Sequence, residues 1–264
     1  MTKDPITAPT TASLDEVMRS MDKHELRHMP IMDGEKVVGV LSDRDLLTST
    51  GWLPGAERNE DHRTAGDLIQ KRPVTCSSDD SVVMITVDLT SRMIGCLPVI
   101  DAGKLVGIVT EMDMLDAYLD LCTKDNHSAR LHEPVSQHMA TQLSTLAPTS
   151  TIAEAMELEK DRGVRHLPVV DEERLVGIVS DRDLRKAYGR GKDATSPIAD
   201  VMSPSPLTLD PEEPLSRAAT CLLEGRISAL PVVDDGRLVG ILTLLDLLEH
   251  CVSNLRAPDR PQPS

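Results

Sequence analysis

With 264 residues the chain has length for about two domains at roughly 150 residues each. Its 28 Lys and Arg against 43 Asp and Glu give a net charge of −15, which repels a phosphate backbone. Three aromatic residues, Trp52, Tyr118 and Tyr188, offer no base-stacking platform, so nucleic acid is not an expected partner and the core is aliphatic. The five cysteines, Cys76, Cys96, Cys122, Cys221 and Cys251, are odd in number and never spaced as CxxC. That argues against a disulfide framework or a zinc knuckle and for a reducing cytoplasm. Residues 1–12 are polar, and no apolar run approaches the ~18 residues of a membrane helix, so a membrane is not an expected partner.

In chain order the sequence repeats itself. The strings MPIMDGEKVVGVLSDRD (29–45), LPVIDAGKLVGIVTEMD (97–113), LPVVDEERLVGIVSDRD (167–183) and LPVVDDGRLVGILTLLD (230–246) share one spacing of Pro, Gly, hydroxyl and Asp. Thr7, Thr75, Thr145 and Thr208 extend the register upstream, each 23 residues before the Pro. Unit 1 (1–50) opens at Met1, aligned with Ile69, Met139 and Met202, and lacks the short helical lead-in of the others, so that edge is expected to be less ordered. It reads as a helix on Leu14, Val17, Met18 and Met21, two strands turning at Asp33-Gly34, and a second helix with Leu46 and Leu47. A Gly, Pro and charge-rich loop (50–64) follows.

Unit 2 (65–120) repeats the plan on Val82, Ile85, Thr86 and Leu89, with its turn at Asp101 to Gly103. The polar stretch 119–134 reads as a linker. Unit 3 (135–190) starts its helix with a Thr151–Glu154 capping box ahead of Ile152, Ala155, Met156 and Glu159. Unit 4 (198–253) follows with Leu215, Ala218, Ala219 and Leu222, then a tail at 256–264 that reads as disordered. Each unit is β-α-β-β-α and too small to bury its faces alone. The expected fold is α+β, with the units paired into modules 1–120 and 135–253 that form one pseudo-symmetric disc. A short linker favours their docking within one chain.

The repeated hydroxyl and carboxylate carry the chemistry. Ser42, Thr110, Ser180 and Thr243 each stand at a helix start, three residues before Asp45, Asp113, Asp183 and Asp246. The open N–H groups of a helix start suit a phosphate, and a carboxylate one turn in can accept from a ribose diol. The same S/T-x-x-D string is also an ordinary capping box. The strand glycine, as in Gly39 and Gly107, would permit a ligand to approach the backbone closely.

Units 1 and 3 differ from their neighbours: Arg27-His28 and Arg165-His166 precede the strand, and Arg44 and Arg182 enter the helix start. The aligned residues are Gly95-Cys96 and Ser228-Ala229, with Met112 and Leu245. These arginines can hold phosphate, or Arg44 and Arg182 can pair with their neighbouring aspartates while His28 and His166 sit at the core edge. His127, His132 and His138 lack the helical pairing of a metal site and are expected in solvent, so no metal is expected; Cys96 reads as a small buried apolar residue.

These strings resemble the cystathionine beta-synthase (CBS) domain family, whose tandem pairs are called Bateman modules. The resemblance implies clefts for adenosine-containing ligands, with Ser42, Thr110, Ser180 and Thr243 on phosphate and Asp45, Asp113, Asp183 and Asp246 on ribose. An adenine would lie near the main chain at Thr7, Thr75, Thr145 or Thr208. The implied function is a regulatory sensor of AMP, ADP or ATP that changes shape or its affinity for a protein partner, with no obligatory cofactor and a homodimer among its assemblies. A scaffold with degenerate clefts, or a sensor of S-adenosylmethionine or a dinucleotide, is the alternative. No nucleophile–base set accompanies the motifs and no barrel-length stretch is present, so an enzyme such as IMP dehydrogenase is not expected.

Overall fold

The computed structural model describes residues 1–49, 64–69, 72–124 and 131–256. Most of the expected loop at 50–64, the middle of the expected linker and residues 257–264 lie outside the described residues.

Each unit's first helix begins where a cap and an apolar stripe coincide. In α1 (Leu14–Lys23) the Glu16 carboxylate accepts the Ser13 N–H at 2.8 Å and Ser13 Oγ accepts the Glu16 N–H at 3.3 Å. Thr151 and Glu154 make the same pair at the start of α5 (Ile152–Arg162). Ser81 caps α3 (Val82–Arg92), and Pro214 precedes α7 (Leu215–Gly225). The stripes Val17/Met18/Met21, Ile85/Thr86/Leu89, Ile152/Ala155/Met156/Glu159 and Leu215/Ala218/Ala219/Leu222 are all buried, as the 3.6-residue period requires.

The hairpins follow in one register. They are β3 (His28–Asp33) with β4 (Lys36–Ser42), β5 (Cys96–Asp101) with β6 (Lys104–Thr110), β7 (His166–Asp171) with β8 (Arg174–Ser180), and β10 (Ala229–Asp234) with β11 (Arg237–Thr243). Each carries a bulge at the same place, for instance between Ile31 and Met32. Ala102-Gly103, Glu172-Glu173 and Asp235-Gly236 take positive φ at both turn positions, whereas in unit 1 only Gly34 does. That is the difference between a type I′ and a type II′ hairpin. The residue after each upstream Thr pairs in parallel with the first hairpin strand: Ala8 in β2 (Ala8–Pro9) with Ile31, Cys76 with Val99, Leu146 with Val169, Leu209 with Val232.

The residues before that Thr cross to the other unit of the pair. β1 (Thr2–Lys3) pairs with β6, β9 (Ser203–Pro204) with β8, and Ala140 with Ile241 of β11. Met1, Ile69, Met139 and Met202 thereby cover Gly107, Gly39, Gly240 and Gly177. A Cβ at these glycines would stand 2.9 Å from Met1 Sδ, 2.8 Å from Ile69 Cγ2, 2.8 Å from Met139 Cγ or 3.0 Å from Met202 Cγ. A Cβ at any of them forces the covering side chain to shift. The reading that this glycine admits a ligand is therefore corrected: a side chain of the paired unit occupies the space. The early start of unit 1 leaves no gap, because Met1 fills its place.

The second helices, α2 (Asp43–Ser49), α4 (Glu111–Lys124), α6 (Asp181–Gly189) and α8 (Leu244–Arg256), join the pairs. α4 packs on α8 and α2 on α6, so units 2 and 4 meet along one seam and units 1 and 3 along another. The first seam is apolar: Leu115 and Tyr118 share one core with Leu247, Leu248 and Cys251. Residues 119–124, expected as linker, continue α4 because this face must be covered, and Leu131 and Val135 are buried in the same core. The second seam holds Leu47 against unit 3 but is otherwise polar. Among the described residues no helix is long and apolar enough to cross a membrane. Cys76, Cys96, Cys221 and Cys251 are buried, and burial pushes the Cys96 thiol up to about 12.

Candidate functional site

At each second helix the repeated motif closes a cap. The Asp45, Asp113, Asp183 and Asp246 carboxylates accept the backbone N–H of Ser42, Thr110, Ser180 and Thr243 at 2.8, 2.8, 3.0 and 2.7 Å. The same carboxylate oxygen accepts the hydroxyl at 2.6 to 2.7 Å. Hydroxyl and carboxylate are thus engaged with each other, as a capping box dictates. In Asp183 and Asp246 the second carboxylate oxygen has no hydrogen-bond partner among the described residues.

The Arg-His positions lie beside these caps. The first helical N–H of α2, α4 and α8 donates to the carbonyl of Arg27, Gly95 and Ser228. The side chains at and after those positions meet where all four units converge. Arg27 Nη1 donates to Ser228 Oγ at 2.9 Å, His166 Nε2 lies 2.8 Å from the same hydroxyl, and Arg165 Nη2 donates to the Met93 carbonyl at 2.9 Å. His28 packs against Gly95, whose missing side chain leaves room for the ring. The sequence difference between odd and even units is therefore a fit: large Arg and His side chains from units 1 and 3 enter space left by small residues of units 2 and 4.

Charge is costly there. Burial, then Arg182, lowers Arg27; burial raises Glu111 against the pull of Arg165 and Arg27. Burial, followed by the neighbouring arginines, pushes His28 down to about 4 and His166 to about 3. Both rings stay neutral in the folded chain at pH values where the unfolded chain, with His near 6.5, takes up protons. Their contribution to stability is present above pH 6.5 and lost as pH falls through 4 and then 3. Chemical denaturation of the parent, His28→Gln and His166→Gln at pH 7.5 and 5 checks this. Each variant is expected to lose less stability on acidification than the parent, and equal losses would assign the acid sensitivity elsewhere.

Arg44 and Arg182 both reach out of their own units. Arg44 Nη2 donates to the Glu159 carbonyl at 3.5 Å and Arg182 Nη2 to the Glu25 carbonyl at 3.4 Å, reciprocal reaches across the polar seam. Sequence reasoning missed the centre of that seam. Arg185, 1% exposed, donates to the Asp22 carboxylate at 2.6 Å and to buried Asp43. Its aligned residue in unit 1 is Leu47, so the repeat itself marks Arg185 as unusual. On the pseudo-equivalent side, burial and the adjacent Asp181 push Glu159 up. Three buried polar atoms have no partner among the described residues, Arg182 Nε, Arg185 Nη2 and Glu159 Oε1.

Thr7, Thr75, Thr145 and Thr208 are exposed and stand apart from the caps. Their neighbours pair with the middle of the first hairpin strand, whereas Ser42, Thr110, Ser180 and Thr243 pair with its first residue on the opposite side. Thr208 lines a cleft of about 590 Å³ with the turns Glu172–Leu175 and Asp235–Arg237, and Thr7 one of about 350 Å³ with Glu35 and Lys104. None of the capping residues lines either cleft. Of the linker histidines, His127 lies outside the described residues and His132 is exposed. His138 is not in solvent: its side chain is 20% exposed and 2.7 Å from Glu133, because the segment folds back onto α8.

Four hairpin-and-helix units with these caps define a tandem-repeat protein of CBS type. The CBS domain model matches residues 1–50, 65–120, 135–190 and 198–253, and the chain belongs to that family. It is 36% identical over 121 residues to the CBS domain-containing protein YhcV of Bacillus subtilis, covering 46% of this chain and 86% of that one. It is 34% identical over 164 residues to protein MJ1225 of Methanocaldococcus jannaschii, covering 58% of this chain and 59% of that one. The crystal structure of MJ1225 superposes with a TM-score of 0.82 over 95% of this chain and 97% of that one, at 21% identity, and shows the same fold.

Proposed function

We propose that the protein is a non-catalytic regulator that binds an adenine nucleotide, AMP, ADP or ATP, beside the start of α6 and transmits its occupancy through the seam between units 1 and 3. One observation carries this reading. In a chain of net charge −15, the buried Arg182 Nε has no acceptor among the described residues, and the charge of Arg182 opposes that of buried Arg27. A phosphate relieves both, since guanidinium groups hold it through several charge-assisted donors. Asp183, one residue further on, keeps a carboxylate oxygen to accept from ribose hydroxyls. Because Arg182 also holds the Glu25 carbonyl across the seam, a ligand that recruits it favours one arrangement of the two modules, and that differential binding is the signal.

Calorimetry with adenosine, AMP, ADP and ATP tests the reading on the parent chain and on Arg182→Ala. The variant is expected to lose affinity for ATP and ADP by about tenfold, the effect of one charge-assisted donor pair, with adenosine little changed. A common loss across all four ligands overturns the assignment of Arg182 to phosphate. Asp183→Ala is a poorer probe, because Asp183 itself closes the Ser180 cap and its loss also weakens α6.

A second reading rests on the engaged capping pairs and on the separation of the Thr clefts from them: a scaffold whose helix starts serve stability alone. It predicts no thermal stabilisation by any of the four ligands, nor by S-adenosylmethionine or a dinucleotide.

A further inference from the structure

A cluster of ligating side chains lies away from the caps, where the segment entering unit 3 meets the end of α8. Glu133, His138 and His250 place one ligand atom each within 4.8 Å of one another. Glu133 Oε2 is 2.7 Å from His138 Nε2 and 3.9 Å from His250 Nδ1. A tetrahedral zinc-class ion at about 2.0 Å from nitrogen and oxygen ligands holds such atoms roughly 3.3 Å apart, midway between the two separations. A small rotation of the carboxylate equalises them. The two imidazole planes meet at 73° with centroids 4.4 Å apart, an edge arrangement and not a stack.

Backbone hydrogen bonds hold the segment that carries Glu133 and His138. Leu215 N–H donates to the Glu133 carbonyl at 3.0 Å, Val135 N–H to the Glu213 carbonyl at 2.9 Å, and His138 N–H to the Val135 carbonyl at 3.0 Å. His250 is flanked by buried Cys251 and Val252 on the next positions of α8. Side-chain exposure rises from 9% at His250 to 20% at His138 and 40% at Glu133, so the imidazoles form the floor and the carboxylate the mouth, open to water.

The repeat provides an internal control. Where unit 4 has His250, the other units have Ser49, Ala117 and Ala187; where unit 3 has His138, units 2 and 4 have Leu68 and Val201. Units 1 and 2 are built with neither histidine, so packing alone does not call for them.

We propose that Glu133, His138 and His250 bind one divalent transition-metal ion of the zinc class through two imidazole nitrogens and a carboxylate oxygen, with water in the fourth place. Such an N,N,O set suits zinc and its neighbours and not calcium or magnesium, which take oxygen ligands. Bound there, the ion fastens the segment entering module 135–253 to α8, the helix that also packs on α4 of the other module.

The test uses the full chain, stripped with a chelator and dialysed against Zn²⁺, with bound metal read by elemental analysis, and Co²⁺ as a spectroscopic probe. The parent is expected to bind one Zn²⁺ and to give tetrahedral cobalt bands without a thiolate charge-transfer band. His138→Gln/His250→Gln is expected to weaken binding by at least about tenfold, since even outer-shell changes cost that much. Glu133→Gln, at the exposed mouth, repeats the measurement should the double variant not fold. Failure of the parent to bind Zn²⁺, unchanged binding in the variants, or a thiolate band pointing to the cysteines would each overturn the site.

Discussion

Arg185→Ala is expected to lower the unfolding free energy by about 3–5 kcal/mol, the cost of leaving one partner of a buried ion pair behind. Arg185 is 1% exposed and joins α6 of unit 3 to Asp22 and Asp43 of unit 1. Asp22 is half-exposed and can be hydrated once Arg185 is gone, but Asp43 is buried and cannot. Burial already pushes Asp43 up to about 6 although Arg185 pulls it down. Its raised folded value means that its carboxyl favours folding when protonated and opposes it as pH rises through about 6. Without Arg185 the folded value rises further, so the variant's deficit should be smaller at pH 5 than at pH 7.5. The double variant Arg185→Leu/Asp43→Ala copies the leucine that unit 1 carries at the aligned position, Leu47, and should recover more than half of the loss. Urea denaturation at the two pH values decides. A loss under about 1 kcal/mol in Arg185→Ala would mean that the pair behaves as a solvated surface bridge.

Gly39→Ala should cost about 1–3 kcal/mol through overpacking. Its Cβ would fall into the Ile69 side chain, 2.8 Å from Cγ2 and 2.9 Å from Cγ1. Ile69 is β-branched and has few rotamers with which to retreat, whereas the methionines over Gly177 and Gly240 can bend away. Glycine-to-alanine changes at those two positions should therefore cost less. Combining Gly39→Ala with Ile69→Ala tests the contact, because the pair should be more stable than the sum of the single losses predicts. Strict additivity would mean that Ile69 does not seat on Gly39 in solution.

Much of the architecture was legible from the spacing. Four helices with their stripes, four hairpins and their turn positions follow from the periods and the Asp/Gly turns, and the Thr151–Glu154 cap formed as its residue types require. The hidden parts were those that depend on which unit touches which. Nothing local in Met1, Ile69, Met139 or Met202 says that each covers a glycine in the other unit of its pair, although the invariant spacing of those glycines across the repeat was a usable signal. Glu172-Glu173 adopts a left-handed turn without glycine because the flanking strands fix it, a tertiary override that turn chemistry cannot foresee. The candidate site was read in part. The capping pairs were visible as what the four repeats share and the Arg-His positions as where they differ, but Arg185 and His250 look like ordinary helix surface until α6 and α8 are packed against their neighbours.

The crossing of each unit's first residues onto its pair mate has a consequence for how such chains can grow. A lone unit would present a strand whose glycine lies bare and an apolar residue with no groove to enter, and a chain of three would leave one unit in that state. Pairs are closed in this respect: every groove is filled and every first residue is seated. Sequence gain or loss that keeps every groove filled therefore comes in twos, and each half carries its own interlock, apart from the ionic and apolar seams that join it to the other.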